Sequence, residues 1–269
     1  MGAWQMAKNK IARMQQYEVN FNRILIEILP QIDRNKIQKP QIPDQSNLIA
    51  DTIVLIVGTE RGLCGKFNES LANNALAWID RQNFYDCQIW IMGSRLQREM
   101  KKKDVEFSWR KPLPEGTLFT YQEAYVIIQK WLEQYEAFEF NQFIILYNQI
   151  APGGNHKFSQ YYLLPYQIQH PTTPIKEAHN AWPPPIIETD PKGIYNQIIQ
   201  HYIASSFYQI LLKSAAAEHS ARYNLMQEAK DNAEEIIEEL NRVINAERKR
   251  QITQEMQELA VGAGLLDQK

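Results

Sequence analysis

The segment from Gly58 to Phe67, GTERGLCGKF, has the residue types of a phosphate-binding loop. Glycine-rich loops between a strand and a helix often bind phosphate through backbone N–H groups. Its glycines, however, are four and three residues apart, which is not the G-x-G-x-x-G spacing of a dinucleotide-binding loop. A P-loop also needs Ser or Thr where Phe67 stands and glycine where Glu60 stands. The spacing therefore favours a structural turn, with nucleotide binding as the alternative.

Nucleophilic and metal-binding side chains are sparse. Cys64 would gain reactivity at the start of a helix, where a thiol pKa falls, but no histidine lies near it in sequence, which favours a buried structural thiol. Cys64 and Cys87 are too few for a disulfide framework. The histidines show neither the pairing nor the clustering of zinc sites; they are His156, His170, His179, His201 and His219. We therefore expect no catalytic residue, no metal site and no bound cofactor.

The composition indicates a folded protein without affinity for polyanions. A chain of 269 residues is long enough for one or two domains with a real core. A net charge of −2 and the lack of a basic patch with interleaved aromatics argue against nucleic-acid binding. No apolar run approaches the roughly 20 residues of a membrane span, and the N-terminus lacks a signal-peptide core. We expect a soluble, intracellular protein that reaches any membrane through partners.

Strand and helix patterns alternate through the middle of the chain. Residues 51–57, DTIVLIV, form a continuous apolar, β-branched run, which predicts a strand buried on both faces. The alternation predicts an α/β domain with a mainly parallel, Rossmann-like sheet. Residues 157–164 are predicted as an antiparallel edge strand after a turn at 152–155. The other predicted elements are helices at 67–79, 94–103 and 121–138 and strands at 87–93, 105–109 and 140–148.

One long helix pattern dominates the end of the chain. Good helix formers are abundant from Pro191 onward, and no glycine occurs between Gly193 and Gly262. Asp190 is a residue type that caps helix N-termini, proline suits the first helical position, and Gly262 marks the end. Such a helix would be roughly 100 Å long. We therefore expect most of it to extend beyond any single core.

The middle of this helix carries apolar residues four and three positions apart, which is the heptad spacing of a coiled coil. The predicted seam residues are Ala229, Ala233, Ile236, Leu240 and Val243. A helix of this length needs a partner along its seam, from this chain or another. Residues 4–29 have an amphipathic pattern that ends at Pro30, so they predict an N-terminal helix as one candidate partner.

Three segments resemble the gamma subunit of F-type ATP synthases. Residues 252–263, ITQEMQELAVGA, match that family's C-terminal signature of Ile-Thr-x-Glu, a second acid three residues later, and Gly-Ala. Residues 218–241, EHSARYNLMQEAKDNAEEIIEELN, are similar to the body of the family's long helix. Residues 58–68, GTERGLCGKFN, are similar to the loop after its first strand. Separated motifs in the family's order are more specific than any one of them.

The resemblance implies a fold and a function. The α/β domain would be inserted between N- and C-terminal helices that form an antiparallel coiled coil. The chain would be the non-catalytic central-stalk rotor of a proton- or sodium-translocating ATP synthase, coupling rotation of the membrane ring to conformational cycling of the catalytic beta subunits. The implied partners are the alpha, beta and epsilon subunits and the membrane rotor ring. The implied location is the cytoplasmic, stromal or matrix face of an energy-coupling membrane.

The resemblance also implies sites of partner contact. The residues that would contact the acidic catch loop of a beta subunit and the surrounding bearing are Arg248, Thr253, Glu255, Glu258, Gly262 and Ala263. The foot that would face the epsilon subunit and the membrane ring contains Glu188, Asp190 and Lys192. The resemblance implies no cofactor.

The predicted organisation has five parts. They are an N-terminal coiled-coil helix (1–30), a linker (31–50), the α/β domain (51–166), a proline-rich linker and foot (167–190), and the long helix with its tip (191–269). The basic start of the family's N-terminal helix has no counterpart here, so a paralogue in a divergent rotary ATPase is one alternative. The other is an α/β nucleotide-binding module or enzyme with a coiled-coil oligomerisation tail, which would bind a nucleotide at the Gly58 loop.

Overall fold

The computed structural model describes residues 2–28, 50–152, 154–166 and 190–262. The helices are α1 (Gly2–Ile28), α2 (Phe67–Gln82), α3 (Ser94–Lys101), α4 (Tyr121–Glu136) and α5 (Pro191–Gly262). The strands are β1 (Thr52–Val57), β2 (Cys87–Met92), β3 (Trp109–Lys111), β4 (Gln142–Ile150) and β5 (His156–Leu164). The predicted linker at 31–50 and the proline-rich segment at 167–190 lie almost entirely outside the described residues.

The five strands form one sheet in the order β3-β2-β1-β4-β5. β1 pairs in parallel with β2 and β4, β2 pairs in parallel with β3, and β5 is the antiparallel edge strand. Every residue of β1 is buried, because helices cover both faces of the sheet at its centre. The α/β class, the mainly parallel sheet and the antiparallel edge strand are therefore confirmed.

The two faces of β1 belong to different cores. Ile53, Leu55 and Val57 point to a core that includes side chains of α1, α4 and α5, whereas Val54 and Ile56 point to one that includes α2 and α3. This follows from the alternation of side chains along a strand. The first core is rich in aromatic contacts, in which the ring of Trp131 lies 4.7 Å from Phe143 and 5.1 Å from Phe207.

The predicted strand at 105–109 is wrong in its position, since β3 begins only at Trp109. The residues before it complete the end of α3 instead. Asp104 has a φ of 53°, and the Val105 N–H donates to the Met100 carbonyl at 3.2 Å. The backbone N–H of Val105 thus pairs with a carbonyl of the last turn of α3, which would otherwise be free. The chain therefore joins the sheet only at Ser108, whose N–H donates to the Ile89 carbonyl.

Helix α1 packs antiparallel to the first part of α5. The Ser205 hydroxyl lies 3.8 Å from the Met14 sulfur, and the rings of Phe21 and His201 stack with centroids 6.5 Å apart. Contacts thus move towards the start of α5 as α1 proceeds. Leu25 is buried at 1% exposure near the end of α1. The antiparallel pairing of the terminal helices is confirmed, and it involves turns of α5 near 201–213.

The chain divides into two compact units, Met1–Arg222 and Tyr223–Lys269, so the boundary falls inside α5. The first unit contains α1, the sheet and the first turns of α5. In the second unit, residues 223–262 are helical and mostly exposed. The five-part organisation expected from the sequence stays a prediction, since the described residues omit much of two of its parts.

Candidate functional site: a partner interface on the long helix

The start of α5 lies where the sequence places it. The Asp190 carboxylate accepts hydrogen bonds from the backbone N–H groups of Lys192 at 3.3 Å and Gly193 at 3.1 Å, as an N-cap residue does. Pro191 is the first helical residue, and α5 is helical through Gly262, the last residue that the structure describes here. The predicted start is confirmed, and the predicted end stays a prediction. Asp190 and Lys192 are exposed, whereas Glu188, the third predicted foot residue, lies outside the described residues.

The second unit exposes many large apolar side chains. They are Tyr223, Met226, Ile236, Ile237, Leu240, Val243, Ile244, Ile252, Met256, Leu259 and Val261, and their exposed fractions run from 48% to 72%. Single exposed apolar residues are ordinary on protein surfaces, but a dense set on one element marks a surface that another molecule covers.

The predicted seam lies within this exposed set. Ile236, Leu240 and Val243 are 58%, 55% and 59% exposed, and the two seam alanines, Ala229 and Ala233, are also exposed. In the part of the chain that the structure describes, the seam has no partner. Its pairing with another chain therefore stays a prediction.

Ion pairs flank the seam but contribute little to stability. Lys230 and Glu234 lie 3.4 Å apart, and Arg242 and Glu238 lie 3.7 Å apart. All four side chains are more than 60% exposed, so solvent screens the attraction, and such pairs are worth about 0.3–0.5 kcal/mol. They support the helix and leave the apolar face available.

The charged tip of α5, residues 247–262, is exposed except at the partly buried Ala260. Glu247 pairs with Arg250 at 3.0 Å, and the Thr253 hydroxyl donates to the Lys249 carbonyl at 2.8 Å. Gln254 donates to Glu258 at 3.0 Å. Within the described residues, the side chains of Arg248 and Glu255 make no hydrogen bond or ion pair. Of the predicted contact residues, Arg248, Thr253, Glu255, Glu258 and Gly262 are thus accessible, and Ala263 lies outside the described range.

In the glycine loop between β1 and α2, the Glu60 carboxylate is held by backbone N–H groups of other segments. The Glu60 carboxylate accepts the Ser94 N–H at the start of α3 at 3.0 Å and the Leu113 N–H at 2.8 Å. Burial raises the pKa of Glu60, but these hydrogen bonds and the nearby Arg98 outweigh it and leave the pKa lowered. Glu60 therefore places a carboxylate at the N-terminus of α3, where the helix dipole favours negative charge.

Gly58 is required for close packing at the end of β1. A Cβ atom at this position would lie 2.3 Å from the Leu96 Cβ and 2.9 Å from the Asn68 Oδ1. Asn68 fixes the same turn, since its side chain accepts from the Thr59 N–H at 3.1 Å and donates to the Thr59 hydroxyl at 2.8 Å. The loop thus brings β1, α2 and α3 together, as a structural turn does.

Arg222, on α5, forms a hydrogen bond to this loop. Its Nε donates to the Gly62 carbonyl at 3.3 Å, and its guanidinium pairs with Glu218 one turn earlier. A cleft of about 70 Å³ lies beside the loop, and its lining includes Arg61, Glu218 and Arg222. Sites for drug-sized ligands typically have about 300–1,000 Å³, so the cleft is too small for a nucleotide. The i, i+4 spacing predicts the Glu218–Arg222 pair, but no local pattern predicts the contacts of Glu60 or Arg222 with distant backbone.

Cys64 is buried at 6% exposure beside Thr59, with 3.9 Å between its sulfur and the Thr59 hydroxyl oxygen. Burial raises the pKa of its thiol, which disfavours the reactive thiolate. The expected buried, structural thiol is confirmed. Among the described residues, no group of three or more His, Cys, Asp or Glu side chains is arranged to hold a metal ion. The described helices also include none with the length and apolar character of a membrane span.

Comparison with known proteins gives consistent matches. A family model described as ATP synthase matches residues 3–266. A Fusobacterium nucleatum ATP synthase gamma chain is 26% identical over 258 residues, which cover 95% of this chain and 86% of the relative. A Geotalea daltonii ATP synthase gamma chain is 29% identical over 248 residues, which cover 88% of this chain and 81% of the relative.

The fold is also similar to a solved structure. A chain of the Tetrahymena thermophila mitochondrial ATP synthase, from a structure of the central stalk and c-ring, superposes with a TM-score of 0.52. The identity is 17%, and the match covers 85% of this chain and 97% of the other. This similarity concerns the fold alone. Since the family model spans most of the sequence and the named relatives are gamma chains, the chain belongs to the gamma-subunit family of ATP synthases, whose members are non-catalytic subunits.

Proposed function

We propose that this chain is the central-stalk rotor of a proton- or sodium-translocating F-type ATP synthase, at the face of an energy-coupling membrane. Its partners would be the alpha and beta subunits of the catalytic ring, the epsilon subunit and the membrane rotor ring. The observation that carries the proposal is the exposed apolar and charged surface of residues 223–262. Family membership supports it, and so does the similarity in fold to a chain from the central stalk and c-ring of the Tetrahymena thermophila enzyme.

The surface of residues 223–262 suits contact with several different neighbours. Its apolar residues are interrupted by acids at 234, 235, 238 and 239 and by the cluster at 247–250. A helix whose charge differs around its axis presents a different face to each of several identical subunits. Rotation would then change the state of each beta subunit in turn. Such a helix acts only through the difference in its contact free energy between those states.

The tip supplies the charged groups of this contact. Arg248 carries a planar guanidinium that matches a carboxylate with two parallel hydrogen bonds. It and Glu255 are exposed and make no ion pair within the described part of α5. Thr253, Glu258 and Gly262 lie on the same exposed end of the helix. These residues would face an acidic loop of a beta subunit, with Ala263 beyond them. Glu188, Asp190 and Lys192 would lie in the foot, where Asp190 also caps α5.

The test is reconstitution with the alpha and beta subunits of the same source. We expect a stable complex whose ATPase activity depends on this chain. Arg248→Gln should lower the activity at a given chain concentration, whereas Asn241→Gln, also exposed on α5, should not. A purified complex that lacks this chain, or activity that is the same with and without it, would refute the rotor proposal.

The competing hypothesis of a nucleotide-binding module is disfavoured by the Gly58 loop. Glu60 places a carboxylate in the loop, where it would repel a phosphate, and the adjacent cleft is small. Calorimetric titration of the isolated chain with ATP and with NAD addresses this hypothesis directly. We expect no heat of binding, and saturable binding at micromolar concentration that Gly58→Ala abolishes would favour the module instead.

A further inference from the structure

The strand order creates a crevice at one edge of the sheet. β1 lies beside β4, and the chain continues from β1 to β2 on one side and from β4 to β5 on the other. In open α/β sheets, ligands commonly bind at such a point, outside the carboxyl ends of the strands. Here α5 fills the crevice. The Ser214 hydroxyl donates to the Val57 carbonyl at the end of β1 at 3.4 Å. Ala217 shares a buried cluster with Cys64 and Phe67.

Two loops contact α5 within the next turn and a half, from different sides. The Ser220 hydroxyl donates at 3.2 Å to the carbonyl of Gly154, in the turn between β4 and β5. The Arg222 Nε donates at 3.3 Å to the carbonyl of Gly62, in the glycine loop after β1. Because an α-helix has 3.6 residues per turn, side chains two positions apart point about 160° away from each other. The two loops therefore hold α5 on nearly opposite sides.

These contacts lie where α5 leaves the sheet unit. Every residue of 214–222 is buried or half-buried, whereas Tyr223 and Asn224 are exposed. The boundary between the two compact units also falls between Arg222 and Tyr223. Small side chains at Ala217 and Ala221 pack in the same cluster as the start of α2. They allow the loops to approach the helix closely, so the hydrogen bonds at Ser220 and Arg222 are the last contacts before the exit.

We propose that the glycine loop and the turn between β4 and β5 form a collar, made by Gly62 and Gly154 with Ser220 and Arg222 of α5, that prevents α5 from rotating about its own axis at this exit. A contact on one side leaves a helix able to rotate about it, whereas contacts on opposite sides oppose rotation in both directions. Arg222 suits the role because its ion pair with Glu218 fixes the guanidinium.

The collar is a property of the isolated chain and does not rest on the rotor function. Its consequence does rest on that proposed function. In a rotor, the collar is the place where a twisting force would pass between the sheet and α5. Ser220 and Arg222 are then positioning residues, which act on partners only through the angle of the helix.

Hydrogen exchange of the full chain, followed by mass spectrometry, tests the collar. Arg222→Met removes the donor to Gly62. Relative to β1 amides, exchange should become faster in the glycine loop and also in the opposite turn between β4 and β5, by roughly two- to tenfold for the loss of one hydrogen bond. Ser220→Ala should act on the same two loops, with a smaller change because its bond is exposed. Glu234→Gln is the matched control, since it breaks an i, i+4 ion pair with Lys230 elsewhere on α5, and it should leave both loops unchanged.

Two outcomes would overturn the collar. One is faster exchange confined to the loop that each variant touches, which would make the loops independent anchors of α5. The other is unchanged exchange in both loops. If Arg222→Met does not fold, Arg222→Lys replaces it, because lysine keeps the charge beside Glu218 but lacks the Nε donor, and the same two loops should respond. No partner subunit takes part in this experiment, so its failure is distinct from a failure of reconstitution, which would refute the rotor proposal and leave the collar in place.

Discussion

Residues 203–212 and 234–243 are two equally long stretches of α5 with opposite environments. Every residue of the first, IASSFYQILL, is buried, and every residue of the second, EEIIEELNRV, is exposed. The first has no charged side chain, so α1, α4 and the sheet can enclose it on all sides. The second places acids between its apolar residues. One helix thus serves as a core element in one part and as a surface element in another.

The difference shows what the apolar residues of each stretch are for. In the first, Phe207 packs against Trp131 inside the chain and stabilises the sheet unit. In the second, Leu240 is 55% exposed, so most of the stability that its burial can contribute is gained only when another molecule covers it. Substitutions in the two stretches should therefore separate into effects on the isolated chain and effects on assembly.

The largest effect on the isolated chain is expected for Phe207→Ala. Phe207 is fully buried, and its loss should leave a cavity beside Trp131 that costs about 3–5 kcal/mol. Thermal unfolding followed by near-UV circular dichroism reports this, because Trp90, Trp109 and Trp131 lie in the same core. Leu240→Ala is the control and should change the free energy of unfolding by less than about 0.5 kcal/mol. Equal destabilisation by both variants would remove the distinction between the two stretches.

A smaller effect is expected for Gly58→Ala, which tests the turn that joins the sheet to α2 and α3. The added methyl would overlap Leu96 and press on Asn68, so the backbone must shift at a cost of about 1–3 kcal/mol. Gly62→Ala in the same loop is the matched control, because a Cβ there meets nothing within 4 Å. Urea titration of both variants compares them. If Gly62→Ala lowers the free energy of unfolding as much as Gly58→Ala does, the flexibility of the loop, and not close packing at Gly58, determines the stability of this segment.

Much of this architecture is encoded in local patterns. The apolar run of β1 predicts a central strand because both of its faces meet helices, and Asp190 with Pro191 predicts the start of α5 because capping is a local interaction. The uncharged stretch 203–212 also carried a signal of all-round burial, which amphipathic analysis of α5 as a whole overlooks.

Other features depend on contacts that local patterns do not contain. Glu60 binds backbone groups 34 and 53 residues away, so nothing near it in sequence reveals its role. The position of β3 depends on how the end of α3 satisfies its carbonyls. The turns of α5 that α1 contacts depend on the sheet between them in sequence, since the sheet fixes where both helices lie. The motifs of the tip identify a family, but their contacts require partner chains.

Glu60→Gln should destabilise the sheet unit by about 1 kcal/mol at neutral pH, because it weakens charge-assisted hydrogen bonds to Ser94 and Leu113. The pKa of Glu60 is lowered in the folded chain, so its stabilisation is present above the ordinary glutamate pKa and is lost as pH falls through the folded value. The difference between variant and wild type should therefore shrink in acid. Urea titrations at neutral and acidic pH measure it, with Glu69→Gln as control, and a difference that grows in acid would contradict the role of the ionised carboxylate.

Leu240→Asp should have the smallest effect on the isolated chain and a large one on assembly. On an exposed helix position the new carboxylate stays hydrated, so the free energy of unfolding should change by less than about 0.5 kcal/mol. In a complex that covers the seam, the same substitution loses roughly 1.5–3 kcal/mol of apolar burial and adds the desolvation of a charge. Ile236→Asp should behave alike, whereas Asn241→Asp, exposed between seam positions, should assemble normally. Size-exclusion chromatography with alpha and beta subunits measures assembly, and normal assembly of both seam variants would mean that the partner contacts another face of residues 223–262.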